Sequence, residues 1–114
     1  MVEVYAAYKT KKIMNIKDVQ EHPSAIFLIS AVTGVTLREM IGETRKQPIA
    51  SYRQVLIWFL WNEGIHIDGI TETTGRDRTT ILYAVKRVDD LIQVRDKSTI
   101  NLISRINLLK KEIK

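Results

Sequence analysis

Apolar positions recur along this chain at spacings of three and four, interrupted by short polar clusters, and no alternating strand pattern lasts more than a few residues. After Pro23 and Ser24 comes AIFLISAVTG, where Ser24 can accept the free N–H groups of a first turn and Gly34 can supply a left-handed residue after the last. A short buried helix is expected there. In TLRE, Thr36 and Glu39 form a capping box opening a second short helix that ends near Gly42 to Arg45. Pro48 suits a first-turn position, and ASYRQVLIWFLWNEG then predicts a long core helix, apolar nearly all round after Arg53 and Gln54, that Gly64 ends. Trp58, Phe59 and Trp61 are expected to fill the core, with a partner surface as the alternative for Trp61.

The stretch IHIDGITETTGRDRTTILYAVKRVDDLIQV predicts two turns of helix from about Asp68 to Thr74, a break at Gly75, and a new helix capped by Asp77 through the amide of Thr80. Ile81, Leu82, Val85, Val88 and Ile92 form its expected buried stripe, leaving Arg78, Thr79, Tyr83, Lys86 and Asp90 largely on the other side. A short helix, a tight glycine connection and a second helix with a basic outer face make the pattern of a helix-turn-helix. Ser98 or Thr99 is expected to start a closing helix with Leu102, Ile106, Leu109 and Ile113 along one side. Residues 1–21 read either as a helix followed by a turn or as an arm. The expected fold is all-α, a compact domain of about five to six helices, divided into an arm or extra helix over 1–23, a helix-turn-helix domain over 24–94 and a packing helix over 95–114.

Composition narrows the possibilities. At 114 residues the chain can bury about two-thirds of its unfolded surface in one core. With no cysteine it has neither disulfides nor thiolate metal sites. Eighteen basic residues against 13 acidic give a net charge of +5, a bias that favours a polyanionic partner. The longest apolar run, VLIWFLW, is far short of the roughly 20 residues a membrane-spanning helix needs, and the N-terminus has no signal-peptide pattern. A cytoplasmic protein with no membrane partner is expected.

The charged start of the GRDRTT helix is the main candidate for chemistry. A recognition helix leads into the major groove with its N-terminal residues, so Asp77, Arg78 and Thr79 hold the position that reaches base edges. Arginine bonds bidentately to guanine, a carboxylate accepts from the cytosine amino group, and a threonine methyl packs on the thymine methyl. Lys86 and Arg87, two turns on, can neutralise phosphates. Each has a plainer reading: Asp77 as a cap alone, Arg78 as a solvated charge, the threonines as local hydrogen-bonding residues.

Together, GRDRTTILYAVKRV and the upstream SAVTGVTLREMIGETRKQPIASYRQVLIWFLWNE resemble the C-terminal DNA-binding domain of DnaA, the bacterial chromosomal replication initiator, over about residues 24 to 94. The family's usual form is GRDHTT, preceded by a short helix, a basic loop and an R-Q pair. The resemblance implies a fold like that of this domain and of the Trp repressor, with double-stranded DNA as partner. It implies that Asp77, Arg78 and Thr79 read the major groove, with Thr80 and Lys86 near the backbone. Arg45, beside Lys46, would enter the adjacent minor groove, and Arg53 and Gln54 would meet the backbone. Arg76 and Arg87 complete the expected DNA-binding set. Without the resemblance, Arg45 reads equally as a charge favourable to a helix C-terminus and Arg53 as a surface salt bridge.

Three departures stand out: Arg78 replaces the usual histidine, Trp61 stands where a basic residue is common, and the connection before GRDRTT is short. The first suggests a shifted base preference. No G-x-x-x-x-G-K-[ST] occurs, so no ATPase module is expected in this chain, and no cofactor or metal. The chain reads as a fragment or, given Met1 and the weakly matching first 23 residues, as a free-standing relative from a phage or mobile element that occupies initiator boxes or regulates transcription. The alternative is a protein-interaction module working through Trp61 or the closing helix. An enzyme is least expected, because Asp68, Glu72 and Asp77 suit helix starts and His22 and His66 are isolated.

Overall fold

The computed structural model describes residues 25–112, so residues 1–24, with the Ser24 cap, and Ile113 lie outside it. The described residues form α1 (Ala25–Thr33), α2 (Leu37–Ile41), α3 (Ile49–Asn62), α4 (Ile67–Thr74), α5 (Arg78–Gln93) and α6 (Lys97–Glu112), with no strand among them. Several boundaries have a local cause. Thr36 and Glu39 make the expected capping box, with the Glu39 amide donating to Thr36 Oγ1 at 3.2 Å and the Thr36 amide to Glu39 Oε1 at 3.3 Å. At the end of α3 the Ile65 and Gly64 amides donate back to Leu60 and Trp61 across a glycine at φ +84°. That is the paired closure known as a Schellman motif, which satisfies carbonyls the last turn leaves open.

Helix α3 is the centre: α1, α2, α4 and α5 all pack on it, and α6 closes over α1 and α5. Its Val55, Leu56, Ile57, Phe59 and Leu60 are buried, as are Phe27, Leu28 and Ile29 of α1. Removing each such side chain from water contributes roughly 1.5–3 kcal/mol. The aromatic expectation holds for Phe59 alone. Trp58 is half-buried and donates its Nε1–H to Asp89 Oδ1 at 2.8 Å, pinning the edge of α3 to α5, while Trp61 is 39% exposed.

Two further expectations are corrected. The buried stripe of α5 runs through Ile81, Ala84 and Val88, flanked by Val85 and Ile92, whereas Leu82 is 49% exposed. A helix advances 100° per residue, so Ile81 and Leu82 cannot both face α3, and the small Ala84 allows close approach. The closing helix starts at Lys97, earlier than expected, because Asp96 is its cap: Asp96 Oδ2 accepts from the Thr99 amide at 3.0 Å and its hydroxyl at 2.7 Å. Leu102 and Ile106 then face the core with Leu109 at its margin.

Candidate nucleic-acid interface

Helices α4 and α5 meet through Gly75, Arg76 and Asp77. Gly75 sits at φ +70°, the left-handed conformation that ends α4 and turns the chain sharply. Asp77 then caps α5, its Oδ1 accepting from the Thr80 amide at 2.8 Å. Those hydrogen bonds from Thr80 hold the Asp77 carboxyl below the usual carboxylate range. Arg78, Thr79 and Thr80 are exposed on the first turn, and Tyr83 and Lys86 continue outward along the helix. Arg87 turns to another flank, where it shares an open cleft of about 600 Å³ with Arg105 and Asp96.

Beside this turn lies the basic loop between α2 and α3, with Arg45, Lys46 and Gln47 exposed. Two arginines hold its base. Arg53 donates through Nε to Met40 O and through Nη2 to Gly42 O at 2.9 Å and Thr44 O at 2.8 Å. Arg76 donates to Ile41 O at 3.2 Å and to Gly42 O. Gly42 O therefore receives two guanidinium groups, one from the long helix and one from the turn of the helix-turn-helix. Burial, and secondarily the charge of Arg76, lower the Arg53 pKa.

Two residues of the expected DNA-binding set thus have intramolecular partners. Arg53 is only 8% exposed, so it forms no surface salt bridge; its Nε donates to a carbonyl in the last turn of α2 and its Nη2 to carbonyls of the loop. Arg76 is half-buried and faces the loop base. A signal for Arg53 existed: it shares the register of the buried Leu56, Ile57 and Leu60, three, four and seven positions on, and a cation there must be satisfied internally. Gln54 is half-buried beside it.

Two residues near the turn were not singled out for the places they occupy. His66 caps α4, its Nδ1 accepting from the Asp68 amide at 3.1 Å. Asp68 Oδ1 lies 3.6 Å from Arg78 Nη1, bridging the starts of α4 and α5. Among the described residues no three His, Cys, Asp or Glu side chains are placed to hold a metal, and no helix is long and apolar enough to cross a membrane.

Residues 24–88, which contain both arms of this arrangement, match the family model described as bacterial dnaA protein helix-turn-helix. The chain belongs to that family. The bacterial dnaA helix-turn-helix is a DNA-binding domain and not a catalytic one. Among its dnaA relatives, the chromosomal replication initiator protein DnaA of Kosmotoga olearia is 32% identical over 88 residues, 76% of this chain and 20% of that protein. The chain thus spans about a fifth of the length of that relative. No solved structure matches it.

Proposed function

We propose that this chain binds double-stranded DNA sequence-specifically, with the start of α5 in the major groove and the loop around Arg45 in the adjacent minor groove. The observation carrying this reading is the shared Gly42 carbonyl, through which Arg76 and Arg53 fix the basic loop against the recognition turn. Two groove-reading elements must keep a set spacing if both are to engage one duplex. In this reading Arg78 and Thr79 meet base edges together with Asp77, and Arg45 enters a narrow A·T-rich minor groove. Thr80, Lys46, Lys86, Arg87 and Gln54 approach phosphates, while Arg53 and Arg76 act by holding the loop.

Residues 24–94 supply the binding module, and α6 (Lys97–Glu112) packs on its α1 and α5. The protein acts in the cytoplasm on initiator-type sites. Selection of duplexes from a random pool tests the proposal. The expected result is enrichment of an asymmetric A·T-containing site, with a guanine at the step facing Arg78. Failure to enrich any sequence, or unchanged binding after charge reversal at Arg78 and Lys86, would point instead to a protein-interaction module.

A further inference from the structure

We infer that Asp68 is a specificity-determining residue that acts through Arg78; this rests on the DNA-binding reading above. An arginine on the first turn of a helix lies beside the positive end of the helix dipole, an unfavourable place for a cation. Two carboxylates are near. Asp77 has turned its Oδ1 to the Thr80 amide, so it serves the backbone. Asp68, on the first turn of α4, sets Oδ1 3.6 Å from Arg78 Nη1. Both side chains are about two-thirds exposed, so the pair contributes little to folding stability.

Its effect is on direction. A guanidinium is a planar fork with five N–H donors, and an ion pair at one corner favours orientations that turn the other edge outward. With Nη1 facing Asp68, the Nε and Nη2 edge has no hydrogen bond among the described residues and is the edge for guanine O6 and N7. The Asp68 carboxylate also repels phosphates that approach Arg78 without offering that base. It therefore raises discrimination while lowering affinity for arbitrary DNA.

The test compares binding to the preferred duplex and to one altered at the step facing Arg78, for wild type, Asp68→Asn, Asp68→Glu, Glu72→Gln and Arg78→Ala. Glu72→Gln removes the same charge from the same helix at an exposed residue with no ion pair to Arg78. Asp68→Asn is expected to bind arbitrary duplex more tightly, as Glu72→Gln does, and alone of the two to lose discrimination, by roughly three- to tenfold. Asp68→Glu should retain most of it. In the Arg78→Ala background Asp68→Asn should leave discrimination unchanged. Equal behaviour of Asp68→Asn and Glu72→Gln would overturn the inference while sparing the proposed function. A wild type that discriminates no better than Arg78→Ala would overturn both the inference and the base-reading role proposed for Arg78. A melting curve for each variant confirms that the fold is intact.

Discussion

At Arg95 the backbone takes φ +59°, a conformation ordinarily left to glycine, while the Arg95 and Asp96 amides return to Ile92 and Leu91 to close α5. Gly64 does the same for α3 without a side-chain penalty. Arg95→Gly is therefore expected to stabilise the domain by about 0.5–1 kcal/mol, seen as a rise in Tm. The caps give a second prediction at this scale. Hydrogen bonds from Thr80 and Thr99 hold the Asp77 and Asp96 carboxyls below the usual carboxylate range, which lies near pH 4 in an unfolded chain. Across that window the folded chain binds fewer protons than the unfolded one. The stability these caps contribute is thus complete above about pH 5 and is lost as pH falls through their lowered values. Asp77→Asn keeps an acceptor for Thr80 but does not titrate, so it should flatten the acid limb of stability measured by urea unfolding between about pH 5 and 2. His66 and Asp96 show why caps were only partly legible: several polar residues preceded each helix, and the folded backbone selected one.

Among the elements, the loop base makes the sharpest demand. Arg53→Lys keeps the charge, but an ammonium on a flexible stem cannot span the Met40, Gly42 and Thr44 carbonyls as a planar fork does. A loss of about 2–3 kcal/mol is expected in urea unfolding, with faster amide exchange across residues 42–47. A residue serving DNA by charge alone would show neither effect. Helix order, the capping box, the glycine stops and the Asp77 cap were all legible because each rests on contacts within a few residues. The inward course of Arg53 and Arg76 was not, since their acceptors lie 9 to 13 and 34 to 35 positions away. Leu82 failed for a related reason: periodicity admitted two neighbouring stripes, and only α3 decided between them.

At the scale of the whole molecule, charge divides into two populations. Arg45, Lys46, Arg78, Lys86 and Arg87 are exposed, while Arg53 and Arg76 face the loop base. Duplex binding should weaken with salt at a slope of roughly −0.9 per phosphate engaged, so Lys86→Gln is expected to lower the slope by about 1 in titrations at several ionic strengths. The candidate site was legible as a set of residues on two segments, but its coupling was not, because sequence carries no record of which carbonyl a distant arginine will find. That coupling governs how the module can be rebuilt. Because Gly42 O takes one guanidinium from α3 and another from the turn before α5, residues 43–47 are not an interchangeable cassette. Transplanting them into a scaffold without both arginines would move the letters of the proposed minor-groove reader while leaving its ruler behind.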